Sequence, residues 1–266
     1  MVYVTDTYNN RVVAQVPGQQ RGRTVADRLN LPNSVAVADD GTIFVADTRN
    51  DRVVQIGPRQ RPATVVTGLD SPYGVTVDQY GNLYVADTDN NRVLKIEQSG
   101  RRTEIGSNFD GPTGTAVDRN GDVYVADTYN YRVVRVPADG SGQETVSVPG
   151  LADPTSLALD GKGHLYVADP YNQQVLRVPV RGGESVTVGE GLAFPTGVAV
   201  DRAGDVYIAD FNLNQVFKVP ADGSRQTALG RDWFAPYGLA VHPSPLSGTG
   251  PGHQPRVAAP APTASS

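Results

Sequence analysis

The chain contains no cysteine, one methionine, one tryptophan, three histidines and three lysines in 266 residues. Without cysteine there are no disulfides, thiolate zinc sites or thiol nucleophiles, and the lack fits either side of a membrane. No stretch approaches the ~20 consecutive apolar residues of a membrane helix. The opening residues, Met1–Asn10, have neither a charged n-region nor an apolar h-region and read as no secretory signal. No P-loop, HExxH or Ser–His–Asp set occurs, and the three histidines, His164, His242 and His253, fall in separate segments without a partner histidine. A formal net charge of −5 argues against a surface that tracks phosphates. The excess of arginine over lysine reads as coding bias, since Ala, Val and Gly are also abundant.

What the chain does contain is a repeat. Gly121–Val133, GDVYVADTYNYRV, has relatives throughout, and the aspartates that end their apolar runs are Asp6, Asp47, Asp87, Asp127, Asp169 and Asp210. Their spacings are 41, 40, 40, 42 and 41 residues. A period near 40 marks a supersecondary unit copied because it cannot bury its apolar faces alone. In the unit used as template, apolar runs at Pro72–Asp78, Asn82–Ala86 and Arg92–Glu97 and a weaker one at Arg102–Ile105 are separated by Gly, Asn and Asp turns. Four short strands with no 3.6-residue period predict one antiparallel sheet per unit. Runs such as Leu83–Ala86 are apolar on both alternating sides, as for a strand covered on both faces between neighbouring blades.

Six prolines, Pro32, Pro72, Pro112, Pro154, Pro195 and Pro236, open the first strands. The chain begins with a second strand at Val2 and finishes its repeats with a first strand, Pro236–Val241. The two partial units add up to one. The expected fold is all-β, a six-bladed propeller of four-stranded antiparallel blades over residues 1–241, closed by pairing Pro236–Val241 with Val2–Asp6, which removes two open sheet edges. An open solenoid is the alternative. Residues 242–266 carry six prolines among Gly, Ala, Ser and Thr and read as a disordered tail or a linker. Met1 falls inside a repeat unit, as in a fragment or a product released from a longer protein.

In GDVYVADTYNYRV, GNLYVADTDNNRV and GTIFVADTRNDRV, with first strands PTGTAVD, PYGVTVD and PTGVAVD, the chain resembles the NHL-repeat family over about residues 1–241. The WD dipeptide of the other common 40-residue propeller is missing. The copies look most like the sensor propeller of receptor-type bacterial serine/threonine kinases. That resemblance implies six blades, a ligand-sensing role and an extracytoplasmic location. No kinase Gly-rich loop, VAIK-like strand or HRD loop is present in the chain. Some propeller lyases of similar build use His-rich central sites, for which this chain has no matching residues.

The Asp–Thr–x–Asn–x–Arg loop joins second and third strands. Asp87 and Arg92 stand at its two ends, where they can meet across the hairpin while Asp accepts turn N–H groups. The expectation is a turn lock rather than a ring of ligand-facing charges. Gln174 and Gln215 replace Arg in two units, and Pro170 and Phe211 replace Thr. Asp78, Asp118, Asp160 and Asp201 end first strands before Gly turns and are expected to bond locally; no D-x-D-x-D-G calcium loop occurs. Tyr3, Phe44, Tyr84, Tyr124, Tyr166 and Tyr207 recur in strand register and are expected in the core.

By strand alternation, the loops after the second strands share one face with the connections leading to each proline. That face collects Tyr8, Tyr129, Tyr131, Tyr171 and Phe211 from the loops, and Tyr73, Trp233 and Tyr237 from the connections. These eight are the candidate binding residues, since Tyr and Trp offer large contact area at small entropic cost. Phe109, Phe194, Phe234 and Trp233 fit equally well as packing between blades. The expected function is a non-catalytic binding or sensor module that recognises an unknown protein or small ligand through one face. It is expected to be a monomer, with no cofactor, no metal, no nucleic-acid partner and no membrane segment. Two alternatives remain open: a metal-dependent propeller lyase or lactonase, and an RNA-binding NHL propeller.

Overall fold

The computed structural model describes residues 1–58 and 61–242. Its strands form six four-stranded antiparallel sheets arranged in a ring, a six-bladed β-propeller. Blade 1 combines the last described strand with the first three, in the order Pro236–Val241, Val2–Asp6, Arg11–Gln15 and Arg23–Ala26. Val2 pairs with Val241, Tyr3 with Ala240, Val4 with Leu239 and Asp6 with Pro236, so the ring is closed as expected. Blades 2 to 6 follow in chain order and begin at Pro32, Pro72, Pro112, Ser156 and Pro195. The predicted tail, His242 excepted, lies outside the described residues.

The strand bounds follow from the turn chemistry. In blade 3 the strands are Pro72–Val77, Leu83–Asp87, Arg92–Ile96 and Arg102–Ile105. Each second strand is buried on both faces, as its uninterrupted apolar sequence requires. The polar loops after the second strands are single 3-10 turns in blades 1 to 5, such as Thr88–Asn90, each ending on a residue in the left-handed region.

The core consists of six apolar wedges, each between two adjacent blades. One joins blades 2 and 3 through Val53, Val66, Leu83 and Leu94, and another joins blade 6 to blade 1 through Tyr207, Val216, Leu229 and Leu239. The closing interface is therefore packed like the others. Each buried Val or Leu contributes about 1.5–3 kcal/mol relative to exposure. The six strand aromatics lie in these wedges, all at 8 % exposure or less. Tyr84 and Tyr207 also donate their hydroxyls to Asp78 and Asp201 at 3.2 Å. Those acids accept their own turn N–H groups as well: Asp78 Oδ1 takes Tyr80 N and Asn82 N, both at 2.9 Å.

At the third residue from the opening proline the next blade's backbone lies close against the first strand. A Cβ built on Gly197 would lie 2.0 Å from the Tyr237 carbonyl oxygen of the next blade, and one on Gly74 would lie 2.3 Å from that of Thr113. Ser34 and Ser156 occupy the same position in blades 2 and 5. Their hydroxyls accept the N–H of Val75 and Val198 in neighbouring blades at 3.2 Å.

Candidate functional site

The aspartate of the repeat loop fastens each blade to its own lead-in. Asp87 is fully buried; its Oδ2 accepts Arg92 Nε at 2.7 Å and Asn90 Nδ2 at 3.0 Å. Its Oδ1 accepts the N–H of Asp70, 17 residues upstream, at 2.7 Å. The turn lock is thus present. The backbone donor comes from the connection between blades rather than from the turn itself, where the sequence reading placed it. Asp6, Asp47 and Asp127 repeat the arrangement. The neighbouring threonine ties one blade to the next: Thr7, Thr48, Thr88 and Thr128 donate to the carbonyls of Pro32, Pro72, Pro112 and Pro154 at 2.7–2.8 Å. These residues are committed to the scaffold and hold the loops in place on what we call the upper face.

The lead-ins to blades 5 and 6 depart from the rule, and this shapes the face. In blades 1, 2, 3 and 6 the left-handed residue closing the loop is Asn10, Asp51, Asn91 or Asn214. Each accepts the N–H of the residue before the next proline, namely Leu31, Ser71, Gly111 and Ala235. Those four residues are themselves left-handed, with φ between 46° and 55°. In blades 4 and 5 the closing residues are Tyr131 and Gln173, and the next residues before proline, Asp153 and Phe194, are not left-handed. Asp169 instead takes the N–H groups of both Ala152 and Asp153, and Asp210 those of Ala193 and Phe194. The first strand of blade 5 begins at Ser156 and not at Pro154, the strand start expected from the sequence, whereas that of blade 6 begins at Pro195 as expected.

On this face a funnel of about 850 Å³ opens over the central channel. Seven of the eight candidate residues line it: Tyr8, Tyr73, Tyr129, Tyr131, Tyr171, Phe211 and Tyr237. Five of them, Tyr8, Tyr73, Tyr171, Phe211 and Tyr237, join with Phe194 and Phe234 in a connected chain of edge-to-face contacts. Phe234 meets Tyr8 at 5.1 Å between centroids, Tyr8 meets Phe211 at 5.4 Å, and Phe211 meets Phe194 at 6.2 Å and Tyr237 at 6.3 Å. Phe194 continues to Tyr171 at 5.8 Å. Tyr237 and Tyr73, from blades 1 and 3, meet at 6.1 Å where the funnel narrows into the channel. Tyr129, Tyr131 and Tyr171 are 62 %, 63 % and 71 % exposed.

Trp233 lies elsewhere. It is 6 % exposed, packed in the wedge between blades 6 and 1, and donates Nε1–H to the Leu229 carbonyl at 2.9 Å. Phe109 is buried in the same way between blades 3 and 4, whereas Phe234 is half exposed. The sequence did hold the signal. Leu29, Leu69, Phe109, Leu192 and Trp233 each stand three residues before a proline, and all are buried.

The residue missed in the sequence is Asp153. It lines the funnel, and burial, with the Asp169 carboxylate behind it, pushes its carboxyl up to about 6. Tyr237 is raised in turn, chiefly by burial and then by Tyr73, Asp153 and Tyr129, which places these groups around one point. Arg49 and Asp89 line the opposite arc. The histidines described are on the lower face: His164 Nδ1 is 2.8 Å from Asp160 Oδ2, and the His242 ring lies 3.4 Å from the Asp39 carbonyl. Among the described residues, no group of three or more His, Asp or Glu side chains is placed to hold a metal ion.

A scan against family models matches the NHL repeat at residues 29–56, 69–96, 109–135 and 192–219, in blades 2, 3, 4 and 6. No curated protein matches the chain. Among solved structures, a chain of a nidogen/laminin complex superposes with a TM-score of 0.80 at 17 % identity, covering 90 % of this chain and 96 % of that one. A streptogramin B lyase superposes at 0.65 and 17 % identity, covering 78 % and 72 %. Virginiamycin B lyase from Staphylococcus aureus gives 0.63 and 16 %, covering 85 % and 77 %. At these identities the likeness is one of fold.

Proposed function

We propose that the protein is a non-catalytic binding module that recognises a protein partner through its upper face. The observation that carries this reading is the connected chain of aromatic rings around the funnel, which ends on the exposed Tyr171, together with the exposed rings of Tyr129 and Tyr131 that line the same funnel. A monomer rarely leaves so many large rings exposed on one surface unless they make a contact. The solved structure with TM-score 0.80 is that of a complex between proteins, which agrees with such a use of the fold. A sensor role, and an extracytoplasmic location with it, rests on the resemblance of the repeats to the sensor propellers of receptor kinases.

The lyase alternative has the likeness in fold to the two lyases in its favour. It would need a convergent set of catalytic groups in the channel or funnel. The polar groups facing the funnel are phenol rings, threonines, Asn33, Ser71, Arg49, Asp89 and Asp153.

The test is selection of random peptides on the immobilised protein, repeated on a variant with Tyr129, Tyr131 and Tyr171 replaced by alanine. Peptide families that bind the wild type and lose at least about tenfold on the variant, at unchanged melting temperature, support the reading. Peptides that bind both forms equally refute it.

A further inference from the structure

Of the six residues that precede the first-strand prolines, Leu31, Ser71, Gly111, Asp153, Phe194 and Ala235, only Asp153 carries charge. It sits there because the loop before it ends in Tyr131, which has no side-chain carbonyl to clamp the lead-in, so the lead-in turns differently and Asp153 lines the funnel. None of the ion pairs of the described residues involves Asp153. A partly buried carboxylate without a cation is costly, and a buried acid normally has a partner. Tyr73, Tyr129 and Tyr237 line the same funnel, the first and last with ring centroids 6.1 Å apart, and the π-faces of such rings attract cations within about 6 Å.

We propose that Asp153, with the rings of Tyr73, Tyr129 and Tyr237, receives the side-chain ammonium or guanidinium of a lysine or arginine presented by a protein partner. This rests on the upper-face reading given above and names the chemistry of its anchor. A carboxylate beside aromatic rings suits a cation with an alkyl stem: the stem packs on the rings while the charged head takes the carboxylate. A peptide is the source, not a free small cation, because the rings of Tyr129, Tyr131 and Tyr171 that line the same funnel are largely exposed and need a larger body to cover them. The chain's net charge of −5 complements a basic segment.

The test uses immobilised full-length protein and heptapeptide pools with random flanks and a fixed centre of lysine, arginine, norleucine or glutamate. At pH 7.5 and 150 mM salt, the lysine or arginine pool is retained at least about tenfold more than the norleucine pool. Asp153→Asn removes that preference. The preference also fades as pH falls through about 6, where Asp153 takes up a proton; Asp169 behind it, Tyr73, Tyr129 and Tyr237 around it, and Arg49 and Asp89 across the funnel are the other titratable or charged groups facing it. Equal retention of the norleucine pool refutes the cation anchor and leaves the binding face standing. Retention of no pool at millimolar peptide overturns both. Tetramethylammonium that displaces the basic pool at concentrations matching the peptide's affinity refutes a peptide source. Because asparagine is isosteric, a melting temperature at or above that of the wild type shows that a lost preference is not lost folding. Should Asp153→Asn melt early, Asp153→Glu keeps the charge and is expected to keep the preference.

Discussion

Replacing Asp153 by asparagine is expected to stabilise the protein at neutral pH and to do nothing in acid. The carboxyl is raised from an ordinary 3.8 to about 6, by burial first and by Asp169 second. The folded state therefore holds the Asp153 proton more tightly than the unfolded chain does. Below the unfolded value, near 4, both states are protonated and the site costs nothing. As pH rises from about 4 to about 6, the unfolded chain gives up its proton first and stability falls; above about 6 the whole penalty is present. About two pH units at ~1.4 kcal/mol each set a ceiling near 3 kcal/mol. The side chain is partly in solvent, and screening reduces this to about 1 kcal/mol. Asparagine keeps the shape and removes the charge. Urea unfolding of both forms at pH 4, 5, 6 and 8 reads the effect directly: the variant's midpoint should be higher at pH 8 and should merge with the wild type at pH 4. Coincident midpoints at pH 8, or a gap that persists unchanged at pH 4, would refute an uncompensated carboxylate at this position.

Three further outcomes follow from the scaffold. Tyr131 holds φ 56° with a bulky exposed ring, so Tyr131→Asn should gain about 1 kcal/mol, seen as a rise in melting temperature of about 2 °C, and no rise would mean the turn is unstrained. Asp87→Ala strands the Asp70 N–H and the Arg92 guanidinium and should cost about 3 kcal/mol or more in chemical denaturation. Arg92→Gln, which copies the Gln174–Asp169 contact of 3.1 Å in blade 5, should cost about 1 kcal/mol; equal losses for the two variants would contradict the ranking. Gly197→Ala drives a methyl into the Tyr237 carbonyl and should lower the melting temperature by several degrees, whereas Gly100→Ala has open space and pays only for its positive φ of 85°.

The ring was legible because its signals are local and repeated. Gly and Asn turns bound each strand within a residue or two, and the unpaired first strand at Pro236–Val241 announced its partner at Val2–Asp6. The lock between Asp87 and Arg92 was legible for the same reason, being five residues apart. Features set by the approach of neighbouring blades were not. Nothing near Gly74 or Gly197 in the chain shows that the next blade's carbonyl lies against it. Trp233 and Phe234 are adjacent, yet one is packed between blades and the other stands in solvent, a choice made by the left-handed Asp232 and Ala235 on either side. Asp153 escaped notice because its isolation depends on what Tyr131, 22 residues earlier, fails to do.

The closing blade also decides how the molecule can be held. Val2–Asp6 rises toward the aromatic face and Pro236–Val241 descends from it, so Met1 and His242 meet on the underside, where the His242 N–H donates to the Met1 carbonyl at 3.0 Å. Anything joined to the ring at either point grips it from below. A fusion, a surface tether or a label placed there leaves the rings and Asp153 facing outward and free to be met by a partner in solution.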